Sequence, residues 1–172
     1  MLKLTFHLKK SSDTVMELRL SWGFRFVFLV LFALIVGSIY IQVQDGAAES
    51  ISLFSYILLG AFSLAAVYDE RWIFDCHRGV VVQAHGLLFL HKRSEYRSEE
   101  ISHLEITEFR KGSIREDEKR RFFQRDLLRL SLVLKEAGFK DIEITEKKNM
   151  AALQSKAATL ADFMNFSYHS FE

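Results

Sequence analysis

The chain has 172 residues, 49% hydrophobic and 26% charged, with 23 Lys and Arg against 22 Asp and Glu for a net charge of +1. That balance excludes a disordered tail, a collagen-like fibre and a basic nucleic-acid-binding arm. The single cysteine, Cys76, excludes an intrachain disulfide and a Cys-rich zinc site.

In chain order, Leu2, Leu4, Phe6 and Leu8 alternate with polar residues, Lys9 to Thr14 reads as a turn, and Met16, Leu18 and Leu20 alternate again. The pattern predicts an N-terminal hairpin over 1–21, either added to a sheet formed by the C-terminal region or left as an arm. Phe26 to Val43 is then eighteen residues without a charge, and Ile51 to Tyr68 is a second such run. At about 1.5 Å per residue each is about 27 Å long as a helix, just enough to cross a bilayer. Thirteen residues of the first run and nine of the second are Leu, Ile, Phe or Val, so insertion is favoured more strongly by the first. The connection Gln44 to Ser50 carries Asp45 and Glu49 and no Lys or Arg, whereas Lys3, Lys9, Lys10 and Arg19 precede the first run and Arg71 and Arg78 follow the second. The expected arrangement is a transmembrane helical hairpin over 22–68, with both termini cytoplasmic, in a bacterial inner membrane or a thylakoid. Trp22 and Tyr68 fall where interfacial aromatics belong, and Arg25 is placed to snorkel. Small residues at Ala33, Gly37, Gly60, Ala61 and Ala65 suggest close helix packing.

After Tyr68 the period becomes two. Strands are expected over Arg71–Cys76, Gly79–Ala84, Leu87–Lys92, Glu95–Ser98, Ile101–Phe109, Leu127–Lys135 and Phe139–Thr145, with turns at His77-Arg78-Gly79, His85-Gly86 and Ala137-Gly138. Leu128, Leu130, Leu132 and Leu134 share one face, with Arg129, Ser131 and Lys135 on the other, and Ile142 and Ile144 are read as continuing the inward face. A closing helix follows. Asn149 is its N-cap, and Leu153, Ala157, Leu160 and Met164 form one stripe flanked by Lys156 and Asp162. The fold class is α+β: a two-helix transmembrane hairpin plus, over 69–172, a PH-like antiparallel β-barrel or sheet closed by a C-terminal helix.

No nucleophile elbow, Walker loop, dinucleotide fingerprint, HExxH or CxxC is present. His77 and His85 fall in turns and His91 and His103 on separate strands, so no metal or other cofactor is expected. The stretch of functional character is Arg110 to Arg125, RKGSIREDEKRRFFQR, with seven basic residues against three acidic. Arg110, Lys111, Arg115, Lys119, Arg120, Arg121, Phe122, Phe123 and Arg125 are the candidate binding residues. Exposed aromatics beside Arg suit a protein partner, and the same loop suits anionic headgroups. An ordinary hairpin loop is the third reading. Nucleic acid is not an expected partner, because 69–172 holds eighteen basic and eighteen acidic residues.

The order of a membrane hairpin, a small β domain and a closing helix resembles the photosystem I assembly factor family of chloroplasts and cyanobacteria, and more loosely the membrane-anchored bacterial PH-like proteins. Local echoes are Phe74-Asp75 with Gly79-Val80, Gly86, Ile144-Thr145, and the helix run from Lys156 to Phe163, KAATLADF. The family's Pro-Gly after the second turn has no counterpart here. The resemblance implies the architecture; the short tether, the lack of catalytic constellations and the charged aromatic loop point to a non-enzymatic scaffold or assembly factor that binds a membrane-protein partner through its cytoplasmic domain. The alternative, from the charged loop alone, is a surface module for anionic lipid.

Overall fold

The computed structural model describes residues 6–46, 52–87, 90–111, 125–136 and 138–170. The chain is α+β, with two sheets and three α-helices among the described residues. An antiparallel meander of five strands forms sheet 1: β1 (Phe6–Lys10), β2 (Val15–Leu20), β3 (Tyr68–Asp75), β4 (Val80–Leu87) and β5 (Leu90–Arg97). Sheet 2 has the order β8-β7-β6-β9, from β6 (Ile101–Lys111), β7 (Arg125–Leu134), β8 (Gly138–Glu146) and β9 (Ser167–Ser170). The strands do not close into a barrel among the described residues.

The N-terminal hairpin forms between β1 and β2, Leu2 and Leu4 lying outside the described residues, and it does not stand apart. β2 pairs antiparallel with β3, Leu18 opposite Trp72 and Arg19 opposite Arg71. Between these two paired strands the chain makes its helical excursion through α1 (Trp22–Gln44) and α2 (Leu53–Val67). There is no linker at either end. Ser21 ends the sheet and caps α1, its hydroxyl accepting from Gly23 N at 3.3 Å, and Tyr68 is both the C-cap of α2 and the first residue of β3.

α1 is long and apolar enough to cross a membrane. At about 1.5 Å per residue, its 23 residues span roughly 34 Å. α2 is shorter than its eighteen-residue apolar run, because Ser52 caps it by accepting from Phe54 N at 3.2 Å and Tyr68 leaves for the sheet. Its 15 residues span roughly 22 Å. The two helices meet through Phe28 and Phe62, ring centroids 5.9 Å apart. They do not meet through their glycines: a Cβ added at Gly37 or Gly60 would find nothing within 4 Å. No residue of α1 is buried, and only Ala66 of α2 is.

The sheets and α3 (Met150–Met164) enclose one core, to which sheet 1 contributes Phe6, Leu18, Trp72 and Phe74, and sheet 2 contributes Leu104, Ile106, Leu128, Leu130, Leu132 and Ile142. α3 lays Leu153, Ala157, Leu160 and Met164 on it, as the stripe predicts. The helix ends at Asn165, whose φ of 55° is the left-handed cap that Asn tolerates. The reversal delivers β9 alongside β6 in parallel, a strand too short and too polar for alternation to mark it.

Three expectations are corrected. The strands expected at Leu87–Lys92 and Glu95–Ser98 are not separate: Leu90–Lys92 and Glu95–Arg97 both belong to β5, while Leu87 ends β4 and Leu88 and Phe89 lie outside the described residues. The turn expected at His85-Gly86 is not there: both residues lie inside β4, with Gly86 opposite His91 and Leu87 opposite Leu90. Gly86 is needed for close approach, since a Cβ would fall within the Leu90 carbonyl oxygen and 2.8 Å from His91 Cα. Finally, Ile144 faces outward. The β7–β8 register slips between Leu130 and Ser131, which pair with Glu143 and Asp141, so Ile142 is the extra residue. A slip of one residue exchanges the faces: Ile142 stays inside, Glu143 turns in beside it, and Ile144 becomes 43% exposed.

That exchange places a carboxylate in the core, and the closing helix answers it. Glu143 is 4% exposed and accepts from Lys156 Nζ at 2.6 Å, and the same ammonium donates to the Phe6 carbonyl at 2.9 Å. Lys156, read from the sequence as flanking the stripe, therefore ties α3 to β8 and to β1.

Candidate docking surface

The charged stretch is carried by the β6–β7 hairpin. Arg110 and Lys111 end β6, Arg125 begins β7, and the last rungs pair Arg110 with Asp126 and Lys111 with Arg125. Arg115, Lys119, Arg120, Arg121, Phe122 and Phe123 lie outside the described residues. Beside the base of the hairpin is a shallow hollow lined by Asp126, Glu146, Lys147 and Lys148, and Lys147 donates to Glu108 at 2.9 and 3.0 Å.

From this end an aromatic and cationic surface runs down the outer face of sheet 2. Arg129, opposite Thr107 and Ile144, points outward because its neighbours Leu128 and Leu130 point in. Its guanidinium carbon lies 4.3 Å from the Phe139 ring centroid and 5.6 Å from that of Phe109, within cation–π range of both. Nε donates to Thr107 Oγ1 at 3.3 Å, and Asp141 Oδ1 lies 3.6 Å away, itself held by Ser131 Oγ at 3.2 Å. Arg129 is thus held in place against Phe139, 52% exposed, with the exposed Ile144 opposite it on β8. An Arg beside exposed aromatic and aliphatic groups is the composition of a protein-binding anchor. The sequence reading missed Arg129, Phe139 and Ile144. Phe139 was marked by its parity, out of phase with Ile142, while Ile144 was hidden by the bulge.

A second cluster sits where the helices join the sheet. Arg25, in the first turn of α1, donates through Nε to the Tyr68 carbonyl at 3.2 Å and through Nη2 to Asp69 Oδ1. The opposite oxygen of Asp69 faces His91 Nε2 at 3.8 Å. This reach is possible because the residue between Asp69 and His91 in the cross-strand row is Gly86. Tyr68 donates to Glu70 at 3.2 Å, and its phenol is pushed up to about 12 by burial first and then by the charge and hydrogen bond of Glu70 and the charge of Asp69. It stays a neutral donor at physiological pH. Arg25, expected to snorkel, instead clamps the start of α1 to the end of α2. Cys76 is exposed in the β3–β4 turn, and among the described residues no three His, Cys, Asp or Glu converge as metal ligands would.

Compared with models of known protein families and with curated proteins, the chain matches none.

Proposed function

We propose that the protein is a non-enzymatic membrane scaffold or assembly factor that is anchored by α1 and α2 as a two-span hairpin and that docks a membrane-protein partner through its cytoplasmic domain. The observation that carries this reading is the insertion of an unburied, apolar helix pair between two hydrogen-bonded strands. Because β2 and β3 are neighbours in one sheet, the chain must return from its excursion to the side from which it left. If α1 crosses, α2 crosses back, tilting or thinning the bilayer to suit its shorter length. The basic residues on both flanks favour a cytoplasmic side for the sheets, in a bacterial inner membrane or a thylakoid. On this reading the two sheets and α3 are a PH-like domain with its barrel left open. The Arg25–Asp69 clamp and the absence of any linker hold that domain at a fixed angle to the membrane, which suits a scaffold. The sequence resemblance to the photosystem I assembly factor family makes a membrane complex under assembly the class of partner.

The test is co-purification of the tagged full-length chain from its native membrane after crosslinking. Replacing Arg120, Arg121, Phe122 and Phe123 together by Ala, or Phe139 alone by Ala, should remove the co-purifying membrane complex while leaving the chain in the membrane fraction. An unchanged set of crosslinked proteins in both variants would contradict the docking role.

A further inference from the structure

The outer face of sheet 1 carries a row of three arginines, two of which have no ionic partner among the described residues. The β2–β3–β4–β5 register aligns Arg19, Arg71, Ala84 and Arg93 in one cross-strand row. Elsewhere on this face opposite charges share a row, Lys9 directly opposite Glu17, and Asp75 and Arg97 on the two sides of Val80. In the arginine row they are not, and like charges directly opposite one another oppose pairing. Arg19 is engaged through Nε with Glu17 at 2.7 Å. Arg71 and Arg93 have no hydrogen bond or ion pair among the described residues, and Arg71 Nε is shielded from solvent without a partner. Of the acids two positions along the same strands on this face, Glu17 is taken by Arg19, Asp69 is held by Arg25, and Glu95 makes no ion pair with Arg93 among the described residues. Ala84 between Arg71 and Arg93 has no side chain long enough to keep them apart. Their Cα atoms are two strand spacings apart, about 10 Å, a gap that two inward-bent guanidinium groups close on one phosphate.

The position of the row selects the source of that phosphate. Arg19 precedes Trp22, the first residue of α1, by three positions, and Arg71 follows Tyr68, the cap of α2, by three. At about 3.3 Å per residue the row lies about 10 Å beyond the helix ends. A headgroup layer is about 5–8 Å deep, and Arg side chains bend toward it to cover the remainder. We propose that the Arg19–Arg71–Arg93 row binds the phosphate of an anionic membrane lipid. This inference rests on the membrane-anchored reading and assigns to it a lipid site separate from the β6–β7 loop.

The test uses the full-length protein in detergent, titrated with phosphatidylglycerol or phosphatidylcholine and read by native mass spectrometry. Phosphatidylglycerol should be retained in preference. An Arg at a membrane surface is worth about fivefold in affinity, so Arg71→Gln and Arg93→Gln should each weaken retention about fivefold. Together they should abolish the preference, whereas Arg78→Gln, in the far turn, should not. If Arg71→Gln lowers the melting temperature, the exposed Arg93→Gln carries the test alone. Wild-type retention in Arg93→Gln and in the double variant, or equal retention of the two lipids, would overturn the site. Displacement of the lipid by an equal concentration of inorganic phosphate would overturn the lipid as its ligand. Recovery of the wild-type chain from cells in soluble form without detergent would overturn the anchored reading itself, a different outcome from lost selectivity in a chain that still sediments with membranes.

Discussion

The helical pair and the two-sheet domain are built from the same kinds of apolar residue and dispose of them in opposite ways. In the sheets, Trp72, Phe74, Leu128, Leu130 and Leu132 are wholly buried, and the charged residues sit outside or in a matched pair such as Glu143–Lys156. In α1 and α2 the Leu, Ile, Val and Phe side chains project outward around the helices, with Leu34 64% exposed at mid-helix. Water penalises such a surface at about 25 cal/mol for every Å² of apolar area, while lipid does not. On the membrane-anchored reading proposed above, one chain is folded for two solvents, and the frontier between them runs through the Ser21 and Tyr68 caps.

The contrast can be broken from either side. On the sheet side, Glu143→Ala leaves Lys156 buried and unpaired and should cost about 3–5 kcal/mol, read as a lowered denaturation midpoint in detergent. Adding Lys156→Met to Glu143→Leu should recover most of that loss. On the helix side, Leu34→Lys places a charge at the centre of α1, where insertion into lipid is disfavoured by about 2.5–3.5 kcal/mol. Its check is the fraction of the chain that sediments with membranes, which should fall; in a water-exposed helix the same change would stay within about 0.5 kcal/mol. At the frontier, Gly86→Ala forces β5 away from β4 and should lower stability by about 1–3 kcal/mol, together with loosening of the Asp69–His91 approach. Phe139→Ala should move stability by no more than about 0.5 kcal/mol, and its effect should be confined to partner recovery.

Much of the sheet domain was legible because its signals are local. The Leu128 to Leu134 alternation and the stripe of α3 each state a face without reference to the rest of the chain. What escaped depends on partners distant in sequence. The slip that turns Ile144 out and Glu143 in exists only in the pairing of β8 with β7. The role of Lys156 depends on that slip and on Phe6, 150 positions away. Gly86 looked like a turn residue because glycine marks turns and close approaches alike. Of the candidate site, the loop's charge was readable, whereas the Arg129–Phe139 contact needed the folded face to be known. The row of Arg19, Arg71 and Arg93 is spread over three strands and a helical excursion, so no window of sequence contains it.

The most direct test of the account asks whether the chain on both sides of the helical pair shares one side of a membrane. Cys76 is exposed and is the sole cysteine, so a membrane-impermeant maleimide reports its side without engineering. It should leave Cys76 unmodified in intact cells and modify it after permeabilisation. In a Cys76→Ser background, Ser12→Cys in the β1–β2 turn should behave the same way, and Asp45→Cys, beyond the end of α1, should react from outside. Labelling of Cys76 in intact cells, or opposite reports from Cys76 and Ser12→Cys, would contradict a sheet closed on both sides of a membrane hairpin.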